Sequence, residues 1–155
     1  MVEVGQHTPD FTLSDQTGEE ITLSRFQGQP VVLYFYPKDD TPGCTTQACA
    51  FRDARTEYEM LGAKVIGVSP DSVKSHRKFA DKHYLSFTLV ADTEKSVCES
   101  YGVWQEKLMY GKKSMGVVRS TYVIDGQGVI RQIFAKVKVD GHSEAVLQAI
   151  RAIKK

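Results

Sequence analysis

The chain has 155 residues, with 20 Lys and Arg against 19 Asp and Glu, 41% hydrophobic and 25% charged content. That suits one soluble domain spanning residues 1–155, which buries about two-thirds of the surface its unfolded form exposes. A net charge of +1, with no run of like charge beyond Lys154-Lys155, argues against nucleic acid or an anionic membrane as partner. The longest apolar run, residues 31–37, is far short of the ~20 residues needed to span a bilayer.

The opening MVEVGQHTPDF lacks a basic region followed by a long apolar core, so the expectation is a cytoplasmic protein without a secretory leader. Residues 11–23, FTLSDQTGEEITL, read as two short alternating runs around a turn ending in Gly18, a β-hairpin. Residues 31–36 are β-branched and aromatic, a buried strand ended by Pro37, which cannot donate to a ladder. From about Pro42 the pattern turns helical, with Ala48, Phe51, Ala54, Tyr58 and Leu61 at three- and four-residue steps until Gly62.

A strand at 64–69, a helix at 72–83, a short strand at 87–91 and a helix near 94–101 follow. Residues 102–115 show no clear period and read as irregular. Residues 117–125 and 129–137 flank DGQG as a second hairpin, and an amphipathic helix from His142 closes the chain with Val146, Leu147, Ile150 and Ile153 inward. Strands alternating with helices, then an antiparallel pair, imply an α/β protein with a mixed central sheet and helices on both faces. This is the thioredoxin-like arrangement, carrying an N-terminal β-hairpin extension.

Three cysteines make an odd number, which argues against a static disulfide scaffold. Cys44 sits in the first turn of a helix that follows a buried strand, where unpaired N–H groups and the positive end of the helix dipole favour an anion such as a thiolate. At ~100° per residue Cys44 falls near the Phe51 and Tyr58 stripe, whereas Cys49 falls on roughly the opposite side. Five helical positions also hold the two Cα atoms farther apart than the ~7 Å a disulfide can bridge. A bond between them therefore requires the first turns to unwind.

The spacing does not suit structural zinc, which takes tight pairs such as Cys-x2-Cys. His7, His76, His83 and His142 are scattered singly and read as surface or packing residues, so no metal is expected. Cys98, beside Val97 and Tyr101 in a short helix, reads as a partly buried, inert thiol.

The segment PKDDTPGCTTQAC resembles the active-site motif of peroxiredoxins, Pro-x3-Thr-x2-Cys, and the second cysteine five residues on resembles their bacterioferritin-comigratory, or PrxQ, subfamily. The similarity runs along nearly the whole chain, through GQHTPDF, VVLYFYPKDDTPGCT, VIGVSPD, FTLVAD, YGVW and STYVID. It implies that Cys44 is the peroxidatic nucleophile, attacking hydrogen peroxide or an alkyl hydroperoxide and becoming a sulfenic acid. It further implies that Thr41 hydrogen-bonds thiolate and peroxide, that Pro37 shields the sulfur, and that an arginine from a distant strand assists.

The position matching that arginine is Arg119, read here inside an apolar strand, where its charge is costly unless it meets an anion. Arg52 and Arg55 lie two or more turns beyond Cys44, at least ~12 Å along the axis, and read as solvated or structural charges. Some members of the subfamily carry the resolving cysteine on the following helix. Residues 72–83 hold none, which leaves Cys49 for an intramolecular disulfide recycled by thioredoxin or a similar dithiol. The resemblance implies a monomer with no cofactor. Thioredoxin-like reductases carry Cys-x2-Cys, and copper-binding assembly proteins of this fold carry Cys-x3-Cys, a distal histidine and a membrane anchor; the x4 spacing matches neither.

Overall fold

The computed structural model describes residues 2–153. The chain begins with β1 (Thr12–Ser14) and β2 (Glu20–Thr22), paired antiparallel with Thr12 opposite Thr22, and a short 3-10 turn over Leu23–Phe26. Next come β3 (Val31–Phe35), α1 (Pro42–Asp53), α2 (Arg55–Met60), β4 (Lys64–Ser69), α3 (Val73–His83), β5 (Thr88–Ala91) and α4 (Ser96–Ser100). The chain continues through β6 (Trp104–Met109), β7 (Lys112–Val117), β8 (Ser120–Ile124), β9 (Ile130–Phe134) and α5 (His142–Ile153). Lys154 and Lys155, included above in the terminal charge and closing helix, lie outside the described residues. Among the described residues no helix is long and apolar enough to cross a membrane.

The central sheet runs β5-β4-β3-β8-β9, with β3, β4 and β5 parallel and β8 and β9 antiparallel to their neighbours. That is the mixed, thioredoxin-like sheet expected, with the β1–β2 hairpin as its extension. All five residues of β3 are buried, which is why it reads as one apolar run rather than an alternation. Val32 and Tyr34 face α1, α2, α3 and α5 through Ala48, Phe51, Tyr58, Phe79, Val146 and Ile150. Val31, Leu33 and Phe35 face α4 and the N-terminal segment through Val97, Tyr101, Phe11 and Leu23. Helices lie on both faces, four against one.

Gly67 explains how a tyrosine fits inside β3. A Cβ there would meet Tyr34 Cζ and Oη and Leu89 Cδ2 at 2.9 Å, so the bare strand makes room for the ring.

The structure corrects three of the sequence readings. The helix read from Pro42 to Leu61 breaks at Ala54 (φ −92°, ψ 12°), since the side-chain period alone does not reveal a local change of backbone angle. The stretch read as irregular forms the β6–β7 hairpin, closed by Tyr110 (φ 52°) and Gly111 (φ 77°) between the paired Met109 and Lys112. Two consecutive left-handed residues make the tight turn that matches strand twist, but tyrosine is not a usual signal for it. Lys112, Lys113, Ser114 and Met115 are all exposed, so no apolar alternation marks the strand.

The third correction concerns the strand read over 117–125. Val117 ends β7 and β8 starts only at Ser120, so Arg119 lies in the junction between them. Backbone bonds from Val118 N to Val103 O (2.8 Å) and from Val137 N to Arg119 O (2.9 Å) hold the junction in place.

Candidate active site

The site forms where β3 ends and α1 begins. Tyr36 N still donates to Val68 O (3.0 Å), after which half-buried Pro37 leaves the ladder. Thr41 is extended (φ −95°, ψ 155°) and Pro42 takes the first helical position, where a missing N–H and a preset φ suit a helix start. The first helical bond runs from Thr45 N to Thr41 O (2.8 Å), so the N–H groups of Gly43 and Cys44 precede the ladder. Cys44 is therefore held at the positive end of α1, with 2% of its surface exposed.

Arg119 approaches from the β7–β8 junction. Its Nη2 donates to Cys44 Sγ (3.2 Å) and its Nη1 to Gln47 Oε1 (2.6 Å). A Cβ on Gly43 would lie 3.1 Å from Nη2, so the glycine lets the guanidinium lie against the first turn. Gln47 was not singled out in the sequence, although its position three residues after Cys44 puts it on the same helical face. It is fully buried, and its Nε2 has no partner among the described residues. Lys107 of β6 lies near this group; burial, then repulsion by Arg119, pulls its ammonium below the ordinary lysine range.

The other sequence-derived residues fall as follows. Cys49 is half-buried on α1 while Cys44 is buried, and all three cysteines are free thiols. Thr41 Oγ1 donates to Lys38 O (2.8 Å) rather than to the sulfur, which pins the turn before the helix. Arg52 donates to His83 O (2.7 Å) and pairs with Asp53, and Arg55 pairs with Glu59, as expected of structural charges. Cys98 is fully buried, and burial followed by a hydrogen bond with Asp92 pushes its thiol far up, so it stays protonated.

His142, read as a surface or packing residue, is buried at the start of α5 with Nε2 2.8 Å from Thr121 Oγ1. Burial, then the Arg119 charge, lowers its imidazole to about 4. The unfolded ring takes up its proton near pH 6.5 and the folded ring only near 4, so stability should fall as pH drops through that window. The loss should be on the order of 1–2 kcal/mol after allowing for solvent screening. Urea midpoints for the native chain and His142→Gln should converge across that window; parallel curves would show that His142 is not the group responsible.

A buried cysteine facing a guanidinium and a helix N-terminus is a setting for an anionic sulfur and for negative charge developing on an atom bonded to it. Comparison with known proteins agrees in kind. Residues 4–133 match the AhpC/TSA family model. The chain is 47% identical over 150 residues to peroxiredoxin Bcp of Bacillus subtilis, covering 97% of this chain and 96% of that one. Among solved structures it is similar to the bacterioferritin comigratory protein of Xanthomonas campestris, studied for alkyl peroxide reduction, with a TM-score of 0.92, 42% identity and 99% and 100% of the two chains covered. A cysteine-to-serine mutant of Xylella fastidiosa PrxQ gives a TM-score of 0.95 at 36% identity, covering 100% and 99%.

Proposed function

Since this chain belongs to the AhpC/TSA family, as one of its Bcp/PrxQ peroxiredoxins, we propose that its peroxidase activity runs through Cys44 and Cys49 and accepts hydrogen peroxide and alkyl hydroperoxides. The observation that carries this reading is the 3.2 Å approach of Arg119 Nη2 to the buried Cys44 sulfur at the start of α1. The Cys44 thiolate attacks one peroxide oxygen. The S–O bond forms as the O–O bond breaks, and the departing hydroxide or alkoxide takes up the proton that the Cys44 thiol gave up on ionising, leaving as water or an alcohol. The Arg119 guanidinium and the Gly43 and Cys44 N–H groups stabilise charge along that path. Arg119 does so held by Gln47.

The resulting Cys44 sulfenic acid then reacts with the Cys49 thiol, which forms the S–S bond and expels water. Both cysteines lie in α1, so this step requires α1 to unwind between them. A dithiol such as thioredoxin supplies the two electrons and two protons that restore both thiols.

Cys49→Ser tests the division of labour. The variant should consume one equivalent of peroxide at an undiminished rate and then stop, with no thioredoxin-linked turnover. Repeated turnover with thioredoxin as the sole reductant would remove Cys49 from the cycle.

A further inference from the structure

The loop that delivers Cys44 to Arg119 is fixed by a buried polar network that does not include the sulfur. Asp39 is 7% exposed; its side chain accepts from Tyr36 Oη (2.5 Å) and Ser75 Oγ (2.8 Å) and shares a hydrogen bond with His76 Nδ1 (2.7 Å). Its own N–H donates to Asp71 Oδ2 (2.8 Å), which also accepts from Ser69 Oγ (2.6 Å). His76 is fully buried, and its Nε2 faces Val90 O at 2.9 Å.

A carbonyl oxygen only accepts, so Nε2 carries a proton. Nδ1 is thus the ring nitrogen that shares the hydrogen bond with Asp39 Oδ2. His76 and Asp39 therefore form a buried hydrogen-bonded pair inside the protein, linking the Cys44 loop to α3 and, through Val90, to β5. Asp71, Asp39 and His76 are near enough to one another to hold an ion, but the hydrogen bonds already engage the facing atoms.

The next residue strengthens the attachment. Asp40 adopts φ 58°, a conformation that non-glycine residues keep only where their surroundings enforce it. Its carboxylate accepts from Lys82 Nζ (2.8 Å) and His83 Nε2 (3.1 Å), at the far end of α3. Thr41 follows at once, and its carbonyl accepts the first helical bond of α1.

We propose that Asp39 and His76 are positioning residues for the peroxide step, holding the 37–41 loop so that Pro37, Thr41 and the first turn of α1 keep their places around Cys44. The proposal rests on Cys44 being the peroxidatic residue. A buried polar network whose members are all hydrogen-bonded adds little net stability over a well-packed apolar core, but it specifies one arrangement of the segments it joins.

The test uses the full chain in a Cys49→Ser background, so that only the first step is observed. Two rates are measured: single-turnover conversion of Cys44 to sulfenic acid by hydrogen peroxide, followed by intact mass, and alkylation of Cys44 by iodoacetamide. Asp39→Asn replaces one of the two acceptor oxygens by an N–H donor. His76→Asn keeps a donor where Nδ1 lies, and His76→Gln keeps one where Nε2 lies. Asp39→Asn and His76→Gln should slow the peroxide step on the order of 10²-fold, the cost of ~1 Å of misplacement, with alkylation changed far less. His76→Asn should retain most of the peroxide rate.

If Asp39→Asn does not fold, the comparison of His76→Asn with His76→Gln decides alone. Equal rates in those two, or peroxide and alkylation rates falling in parallel, would overturn the positioning role. A parent chain inert to peroxide would overturn the peroxidatic reading and this proposal with it. An active parent whose peroxide rate ignores these substitutions would overturn this proposal only.

Discussion

Replacing Cys44 by serine should reduce peroxide consumption to the uncatalysed background. The chemistry needs a two-electron donor that can pass through a sulfenic acid, and a hydroxyl has no such oxidation ladder. Neither remaining thiol can substitute. Cys98 is fully buried and kept protonated by burial and Asp92, and Cys49 lies outside the Arg119 contact. The fold should survive, because serine occupies nearly the same volume and its hydroxyl can accept the same Arg119 bond. Stopped-flow peroxide reduction with thermal unfolding as a control measures both. Near-native consumption by Cys44→Ser would end the assignment of the peroxidatic role.

Arg119→Met should lower the second-order rate with peroxide by about 10²–10³, the range seen when one preorganised donor to a developing charge is lost. Ionisation of the sulfur cannot supply that factor. For an ordinary thiol, full ionisation at pH 7 gains roughly thirtyfold, while the lower nucleophilicity that accompanies it removes about tenfold. Most of the acceleration must then come from donors, of which Arg119 is the only charged one that touches the sulfur among the described residues.

Arg119→Lys should restore little. The guanidinium spans Cys44 and Gln47 with two separate nitrogens, and a single ammonium cannot serve both. Thermal unfolding should change far less than the rate. A loss below about tenfold in Arg119→Met would shift the weight of catalysis to the helix N-terminus.

How much of this was legible beforehand varies from residue to residue. The β3 strand, the start of α1 at Pro42 and the deeper burial of Cys44 than of Cys49 follow from local rules of composition, proline position and helical period. The β6–β7 hairpin was missed because most of its side chains face solvent and its turn carries a tyrosine in a left-handed conformation. Gln47 could have been found from its three-residue step after Cys44. His76 could not. Its partner Asp39 lies 37 positions away, and a lone histidine on a basic helix gives no sign of a buried carboxylate.

By itself, then, the sequence determined what depends on neighbours along the chain: the strand–turn–helix that exposes a cysteine to a helix N-terminus, and a second cysteine too far along that helix to bond with it. The tertiary structure decided what depends on distant segments meeting. It put Arg119 in the β7–β8 junction within reach of the sulfur, and tied the Cys44 loop to α3 through Asp39 and His76. The division is physical. Backbone geometry and periodicity are short-ranged and leave a pattern in the chain, whereas a charge is tolerated inside a protein only where folding brings it a partner.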